Sequence, residues 1–310
     1  MSKVINMVGG GGEVNLKSIS VSKMPTKTSY YVGDMFDPAG MVVIVEYNNG
    51  KSATIGGYYF SPNGALGVGD DTITISYTEA GVTASTTIPI TVTKRYDEVF
   101  ENNTWEKIID ACHRADIPKT WAVGNSKDMD IGGTTYKIQI IGKNHDVYES
   151  GDVAPLTFQM LDCFNTVYAM HSSATNAGGW ADSAMRTERV PSILSLMPSA
   201  VREGIQSVTK LTYVGGTTNA IVPTVDKGFL LSEVEVFGSL NYSSAGEGTQ
   251  YAYYAAGNSA IKKTNGTAGY WWLRSPRANN TTAFCRVNAS GSYAQSSATT
   301  ECGVSVAFCF

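Results

Sequence analysis

The fold of the amino-terminal third is decided by Asp71-Thr-Ile-Thr-Ile-Ser-Tyr-Thr78, in which β-branched and aromatic residues alternate. Such alternation is typical of a half-buried β-strand. Thr86-Thr-Ile-Pro-Ile-Thr-Val-Thr93 has the same character, and Met41-Val-Val-Ile-Val-Glu-Tyr47 has the apolar run of a central strand. The segment therefore predicts a set of short strands.

Turn signals separate these strands. Asn48-Asn49-Gly50, Pro62-Asn63-Gly64 and Glu79-Ala80-Gly81 supply residues that accept the positive φ angles of tight reversals. Short strands divided at such intervals predict a β-sandwich.

A known family shares one part of this region. Met24-Pro-Thr-Lys-Thr-Ser-Tyr-Tyr-Val-Gly-Asp-Met-Phe-Asp-Pro-Ala-Gly-Met-Val-Val43 resembles the bacterial immunoglobulin-like modules of surface and phage proteins. The resemblance covers residues 15–94. It implies a spacer or weakly adhesive unit without catalytic residues.

The remaining chain predicts two further segments. Gly9 to Gly12 indicate a flexible glycine-rich arm over residues 1–14, and Lys94-Arg95 forms a polar joint after the sandwich. Residues 95–310 then form a second domain. It opens with a helix over 103–116, in which Asn103 is the expected cap.

The second domain is predicted to be α+β. Gly132-Gly133 indicates a two-residue hairpin, and Pro191 and Pro198 divide residues 179–204 into short helices. We expect the helices in the first half and an antiparallel sheet in the second half. The strands expected there are residues 208–214, 229–237, 270–274, 283–288 and 304–310.

Composition excludes several classes of function. The 310 residues carry a net charge of −4, and no basic run is longer than the two residues of Lys262-Lys263, so we expect no nucleic-acid partner. No stretch approaches the about 18 apolar residues of a membrane helix, so membrane insertion is not expected. The amino terminus lacks a signal-peptide pattern, which predicts synthesis in the cytoplasm and release by lysis or within a particle.

The chain offers few groups for catalysis. His113, His145 and His171 are the three histidines, and none stands at a metal-ligand spacing. The loop that begins at Asp128 has Gln139 where a calcium loop needs glutamate. The five cysteines form no CxxC pair and are read as buried apolar residues. We therefore expect no catalytic residue, no metal and no cofactor.

The last forty residues are the most informative for function. Trp271-Trp-Leu-Arg-Ser-Pro276 and Gly303-Val-Ser-Val-Ala-Phe-Cys-Phe310 enclose a segment dominated by Asn, Ser, Thr, Ala, Tyr and Arg. Adaptable binding surfaces use a similar set, because Tyr and Arg anchor contacts while small polar residues adjust hydrogen bonds. An ordinary polar loop on a sheet is the alternative.

The same segment resembles the end of a phage and prophage domain with a C-type-lectin-like fold. Gly142-Lys-Asn-His-Asp146, Trp180-Ala-Asp-Ser-Ala-Met-Arg186 and Tyr270 fit that family, so the similarity spans most of residues 100–310. The resemblance implies an all-β immunoglobulin-like sandwich followed by an α+β C-type-lectin-like domain. The calcium motifs of sugar-binding lectins are absent from the sequence, so calcium-dependent sugar binding is not expected.

Some relatives in this lectin-like group are variable proteins of diversity-generating retroelements, which mutate adenines in Asn codons. Such codons yield Ala, Arg, Ser, Thr, Tyr, Gly, Cys or Asp, and residues 277–302 contain no Lys, Met or Trp. Gln295 and Glu301 do not fit the rule and would have to be fixed positions.

The resemblances together predict a non-enzymatic, phage tail-associated protein that binds a host receptor and mediates adhesion. Its partners would be a host cell-surface protein or glycan and other tail proteins, and a homotrimer is the assembly implied. It would lie in the virion, or outside the cell after lysis. The predicted ligand contacts are Arg277, Ala278, Asn279, Asn280, Arg286, Asn288, Ser290, Ser292, Tyr293, Ser296, Ser297 and Thr299. Trp271 and Trp272 are expected to build the core beneath them.

Two alternatives stay open. The polar segment could contact other virion subunits, as in a decoration or baseplate protein. Formylglycine-generating oxidases share a related fold and use paired cysteines, for which Cys302 and Cys309 would be the pair.

Overall fold

A computed structural model describes residues 13–218 and 220–310. The chain divides into two compact units, with the boundary between Arg95 and Tyr96. Both units are built mainly from β-strands. The first twelve residues of the predicted glycine-rich arm lie outside the described residues.

The unit of residues 13–95 contains eight strands in three sheets. The sheet orders are β1-β3-β4, β5-β6-β7 and β2-β8, and β2 and β8 are parallel to each other. The strands are β1 Leu16–Lys23, β2 Ser29–Tyr31, β3 Val42–Tyr47, β4 Ser52–Ile55, β5 Tyr59–Ser61, β6 Thr72–Glu79, β7 Val82–Pro89 and β8 Thr91–Thr93.

The alternation predicted for β6 is confirmed, since Ile73 and Ile75 are fully buried while Thr72 and Thr74 are exposed. The predicted reversal after it is also confirmed. Ala80 and Gly81 have φ angles of 47° and 82°, the two positive angles of a type I′ hairpin.

The strand predicted over residues 86–93 is divided in the structure. β7 pairs with β6 as far as Pro89, and β8 then pairs with β2 in another sheet. Proline has no backbone N–H to donate, so it ends the ladder at that point.

Residues 13–95 have an apolar core of their own, which includes Val43, Val45, Ile73 and Ile75. We therefore expect a fragment of residues 13–95 to unfold in a single cooperative transition, measured by circular dichroism during heating. Limited proteolysis of the full chain should leave this fragment intact. A fragment with a gradual, non-cooperative melt would contradict the expectation.

The unit of residues 96–310 contains five α-helices and twelve strands among the described residues. The helices are α1 Trp105–His113, α2 Val190–Ser195, α3 Ser199–Gly204, α4 Glu233–Phe237 and α5 Ala252–Ala255, with a 3₁₀ turn at Phe100–Asn102 and a π-helical turn at Met185–Arg189. The strands are β9 Ser126–Ile131, β10 Thr134–Lys143, β11 Leu156–Met160, β12 Val208–Tyr213, β13 Ile221–Asp226, β14 Gly228–Phe229, β15 Lys262–Thr264, β16 Thr267–Gly269, β17 Trp271–Pro276, β18 Ala283–Val287, β19 Tyr293–Ser297 and β20 Ala307–Cys309.

The main sheet of this unit has the order β14-β20-β11-β10-β9. Three of its five strands come from the first half of the unit, so the expectation of helices first and a sheet afterwards is wrong. The last strand, β20, lies between β14 and β11, with Phe158 paired to Phe308. The two ends of the unit therefore share one core.

Local predictions in this unit have mixed outcomes. The hairpin at Gly132-Gly133 is confirmed, and both glycines have positive φ angles. The division of residues 179–204 into short helices is also confirmed. The α1 cap is Thr104, whose side chain accepts from Lys107 N–H at 3.4 Å. Asn103, the expected cap, is buried and bonded to the backbone of Asp97.

The strand predicted over residues 229–237 is wrong beyond Phe229, because α4 occupies its second half. Ser232 accepts from Glu235 N–H, and the Glu235 carboxylate accepts from Ser232 N–H. This reciprocal capping box satisfies the free N–H groups of a helix start and selects a helix there.

A smaller sheet of order β17-β18-β19 positions the predicted ligand contacts. Trp271 and Trp272 of β17 are fully buried, which confirms their expected place in the core. No helix in the described part of the chain is long and apolar enough to cross a membrane.

Candidate functional site

The twelve predicted contact residues lie on β18, on β19 and in the loops beside them. None is fully buried, and Tyr293 is 48% exposed, which confirms its predicted place on the surface. The loop of residues 277–282 precedes β18, and the loop of residues 288–292 follows it. The two loops therefore lie at opposite ends of a five-residue strand.

The register of β18 and β19 places the predicted contacts on two faces of the small sheet. Tyr293 is paired with Val287, and Ala294 is paired with Arg286. Paired residues point to the same face and consecutive residues point to opposite faces, so Tyr293 and Ser297 lie on one face. Arg286 and Ser296 lie on the other. The predicted residues therefore do not form one continuous site.

The face of Tyr293 carries an aromatic patch, which we define as Phe237, Tyr242, Tyr293 and Arg277. The Tyr293 ring makes T-shaped contacts with the rings of Phe237 and Tyr242, at centroid distances of 5.9 and 6.0 Å. The Arg277 guanidinium lies 5.6 Å from the centre of the Tyr242 ring. These contacts fix the rings in place while nearly half of the Tyr293 side chain faces solvent.

A groove of 330 Å³ adjoins the aromatic patch through Phe237. Its other aromatic wall is Tyr254, and none of the described residues that line it is charged. The polar groups of the groove are amides and hydroxyls, from Gln250, Asn258, Ser259 and Ser290. Aromatic walls with uncharged hydrogen-bonding groups suit a neutral polar ligand.

The opposite face carries a second pair of aromatic and cationic side chains. The Arg286 guanidinium lies 3.9 Å from the centre of the Tyr270 ring, which is a close cation–π contact. Its Nη1 also approaches the Cys302 Sγ at 3.4 Å. Arg286 is thus held by its own neighbours, and Tyr270 presents the exposed surface of this pair, at 45%.

The three asparagines among the predicted contacts shape the loops. The Asn280 side-chain oxygen accepts from the N–H groups of Thr282 and Ala283 at 2.8 and 2.7 Å. The Asn288 oxygen accepts from Ser292 N–H at 2.9 Å. Asn279 has a φ of 54°, a left-handed conformation that Asn tolerates better than most residues. The side chains of Asn280 and Asn288 therefore hold their loops, and Asn279 occupies a backbone conformation that suits asparagine. The sequence did not reveal these roles.

No sequence pattern pointed to Tyr242 or Phe237 as contact residues. They belong to the patch because α4 and the loop after it fold back over the small sheet. A signal was available, since Ser232 and Glu235 have the spacing of a capping box and Gly238 is a typical residue at a helix end. Together they would have placed Phe237 in the last turn of a short helix.

A buried charge cluster shares no residue with the aromatic patch, and we define it as Asp146, Lys210, Glu235, Glu247 and Arg274. The Lys210 Nζ lies 2.6 Å from Asp146 Oδ1 and 2.7 Å from Glu235 Oε1. Arg274 forms a two-pronged ion pair with Glu235, and its Nη2 also donates to the Glu247 backbone oxygen at 2.6 Å.

The pKa values of two acids in this cluster, Asp146 and Glu247, are shifted in opposite directions. Burial alone would raise the pKa of Asp146, but the Lys210 ammonium and its hydrogen bond hold that pKa at about 2. Burial raises the pKa of Glu247 to about 7, against the opposing charge of Arg274. Glu247 Oε2 has no hydrogen-bond partner in the described chain. Asp146 pairs with Lys210, while the neighbouring His145 ring stacks on Tyr251.

A larger concavity, of 740 Å³, lies elsewhere and contains none of the predicted contacts. Its lining includes His113, Tyr148, Glu149 and Lys227. A ring nitrogen of His113 is engaged with the Gly204 carbonyl oxygen at 3.0 Å. This contact fixes the orientation of the His113 ring.

The five cysteines are all buried and unpaired, which confirms their interpretation as core residues. Burial raises the pKa of Cys302, and burial with the nearby Asp146 charge raises that of Cys309 well above its usual range. Thiols with raised pKa values are poor nucleophiles at neutral pH. Within residues 13–218 and 220–310, no three His, Cys, Asp or Glu side chains could together hold a metal ion.

Two family models match this chain. Residues 24–92 match the model described as "Bacterial Ig-like domain (group 3)", so the amino-terminal unit contains a bacterial immunoglobulin-like domain. Residues 157–310 match the model described as "Domain of unknown function (DUF6273)". The second match contains every residue of the aromatic patch and of the groove.

One curated relative shares a short segment with the chain. Pectate lyase L of Thermoclostridium stercorarium is 50% identical over 36 residues, which is 12% of this chain. The chain spans only 3% of the length of that enzyme. The similarity therefore concerns a small part of both proteins.

Proposed function

We propose that this chain is a non-enzymatic receptor-binding protein that attaches to a host surface through the aromatic patch. The observation that carries the proposal is the Tyr293 ring, half exposed yet fixed between Phe237 and Tyr242 beside an uncharged groove. Rigid aromatic side chains lose little conformational entropy on binding, and they dominate many interfaces. The immunoglobulin-like unit would act as the spacer.

We further propose a C-type-lectin-like fold for the second unit. Its support is the pairing of β20 with β11, which brings the end of the chain back to strands from the start of the unit. The small sheet β17-β18-β19 belongs to the long segment between β11 and β20. The sequence resemblance over most of residues 100–310 points to the same fold.

The setting proposed from the sequence is a phage tail, with the protein in the virion or free after lysis and assembled as a trimer. Its partners would be a host-surface protein or glycan and other tail proteins. Diversification by a retroelement is part of the proposal, but it would act at fewer positions than the sequence suggested. Asn279, Asn280 and Asn288 support their loops, so variation there would disturb the backbone.

Tyr293→Ala is expected to weaken binding by about 2 kcal/mol, or about 30-fold in Kd, because it removes the exposed ring of the patch. The melting temperature should change little, since Tyr293 is a surface residue. Binding would be measured on an array of purified bacterial surface polysaccharides and on whole bacterial cells.

Tyr59→Ala is the matched control, because Tyr59 is 74% exposed and lies in the immunoglobulin-like unit. It should leave binding unchanged. Equal losses in both variants, or binding of the full chain to no surface at all, would contradict the proposal. Binding of virion subunits instead of host surfaces would favour a decoration or baseplate protein.

A further inference from the structure

A buried carboxylate holds the loop that carries Tyr242. Glu233, the first residue of α4, is fully buried. Its Oε2 accepts from the backbone N–H groups of Asn241, Tyr242 and Ser243 at 3.0, 2.9 and 2.8 Å. It also accepts from the Ser243 hydroxyl at 2.8 Å. Hydrogen bonds to a charged group are about twice as strong as neutral ones. The three backbone N–H donors are present in every residue except proline, so these bonds do not depend on the side chains at positions 241–243.

A buried amide holds the loop that precedes β18. The Asn176 side chain is fully buried, and its Nδ2 shares its two N–H groups among the carbonyl oxygens of Arg277, Asn280 and Ala283 at 3.3, 2.9 and 2.9 Å. Its Oδ1 accepts from Gly216 N–H at 2.9 Å. One side chain from a distant part of the sequence therefore fixes both ends of this loop.

The two loops are also joined to each other. Ala278 N–H donates to the Tyr242 carbonyl oxygen at 2.7 Å. We call residues 239–243 and 277–283 together the loop platform. Every bond from Glu233 or Asn176 to the platform, apart from that to the Ser243 hydroxyl, ends on a backbone atom.

Some side chains of the platform make no hydrogen bond that holds the loop. Thr281 is exposed, and its hydroxyl makes no hydrogen bond to any described residue. Ala278 is half-buried and has no polar side-chain atom. Asn280, between them in the same loop, uses its side chain to close the turn. Positions 278 and 281 can therefore change without the loss of a bond that holds the loop.

We infer that Asn176 and Glu233 are positioning residues for the binding surface, and that positions 278 and 281 set its specificity. The part on specificity rests on the proposed function, while the part on positioning does not. Asn176 and Glu233 lie outside residues 277–302 and hold the platform backbone, while Asn280 closes its own turn. The side chains at positions 278 and 281 are therefore available to contact a ligand.

Hydrogen–deuterium exchange of the full chain, read by mass spectrometry, tests the positioning role. In the unaltered protein, the N–H groups of residues 241–243 should exchange at least about tenfold more slowly than those of an unstructured chain. Glu233→Ala removes the acceptor of these donors and should accelerate their exchange by about tenfold or more. Asn176→Ala should do the same for residues 277–283. Exchange in β11 and β20 should stay unchanged in both variants.

The double variant Ala278→Ser with Thr281→Ala is the matched control, and its platform should exchange within about twofold of the unaltered rate. If it accelerates exchange as strongly as Asn176→Ala, the loop depends on its own side chains and the inference is wrong. Fast exchange of residues 241–243 in the unaltered protein would also overturn it, whether or not the variants fold.

The polysaccharide array separates the two parts of the inference. The double variant should bind a different set of polysaccharides, whereas Asn176→Ala should bind the original set at least about tenfold more weakly. If the unaltered protein binds none of them or the cells, the proposed function fails while the exchange rates still decide the positioning role. If it binds and the double variant retains the same set, positions 278 and 281 do not set specificity.

Discussion

Lys210→Met is expected to lower the free energy of unfolding of residues 96–310 by about 3–5 kcal/mol, the usual cost of breaking a buried ion pair by removal of one partner. The Lys210 ammonium lies within 2.7 Å of both Asp146 and Glu235, and all three side chains are at most 5% exposed. Without it, Asp146 loses its cation, while Glu235 keeps Arg274. The penalty is therefore the uncompensated charge of Asp146 in the core.

The loss should depend on pH in a defined direction. The pKa of Asp146 rises in the variant, because burial is no longer opposed by the Lys210 charge. A raised carboxyl pKa gives stability that is present at low pH and lost as pH rises, so the deficit should be larger at pH 8 than at pH 4.

Tryptophan fluorescence during urea unfolding measures this effect in the right unit, since all five tryptophans lie beyond residue 96. Lys137→Met is the matched control. Lys137 forms an ion pair with Asp128 at 2.8 Å, but both side chains are more than half exposed. Exposed pairs contribute about 0–1 kcal/mol, so similar losses in the two variants would contradict the importance of the buried pair.

The sequence predicted the elements whose local pattern agrees with their final environment. The alternation around Ile73 and the glycine pair at Gly132 are local signals, and both elements formed as expected. Glu233-Val-Glu-Val-Phe237 misled the prediction because it alternates like a strand, whereas the capping box before it selects a helix. A pattern of period two does not distinguish these two cases in a five-residue segment.

The candidate site was only partly predictable because it depends on register and on distant partners. Composition identified residues 277–302 as polar and rich in contact-forming side chains. Whether Tyr293 and Arg286 share a face depends on how β18 pairs with β19, and one residue of shift reverses the answer. Tyr242 joins Tyr293 through tertiary folding, which no local pattern encodes.

The buried charge cluster could not be predicted for the same reason. Lys210, Glu235 and Arg274 are separated along the chain, and each is of a type that is mostly exposed in proteins. Only the paired geometry makes their complete burial tolerable.

Glu247→Gln is expected to stabilise residues 96–310 at high pH and to have little effect at low pH. Burial raises the pKa of Glu247 from the ordinary 4.5 to about 7. The folded state therefore holds a proton that the unfolded state has released between these two values. Stability from this group is fully present below pH 4.5 and is lost as pH rises through 7. A shift of this size corresponds to about 3 kcal/mol, since each pKa unit is worth about 1.4 kcal/mol.

Glutamine has nearly the same shape and cannot ionise, so it retains the neutral form of the side chain at every pH. Urea unfolding at pH 5, 7 and 9, followed by tryptophan fluorescence, should show a gain that grows with pH to about 3 kcal/mol. Titrating groups that do not interact with Glu247 are common to both proteins and cancel in the difference. Glu203→Gln, at an exposed position, should show no such trend. If the gain at pH 9 equals that at pH 5, Glu247 keeps one ionisation state throughout, and the charge cluster does not titrate near neutrality.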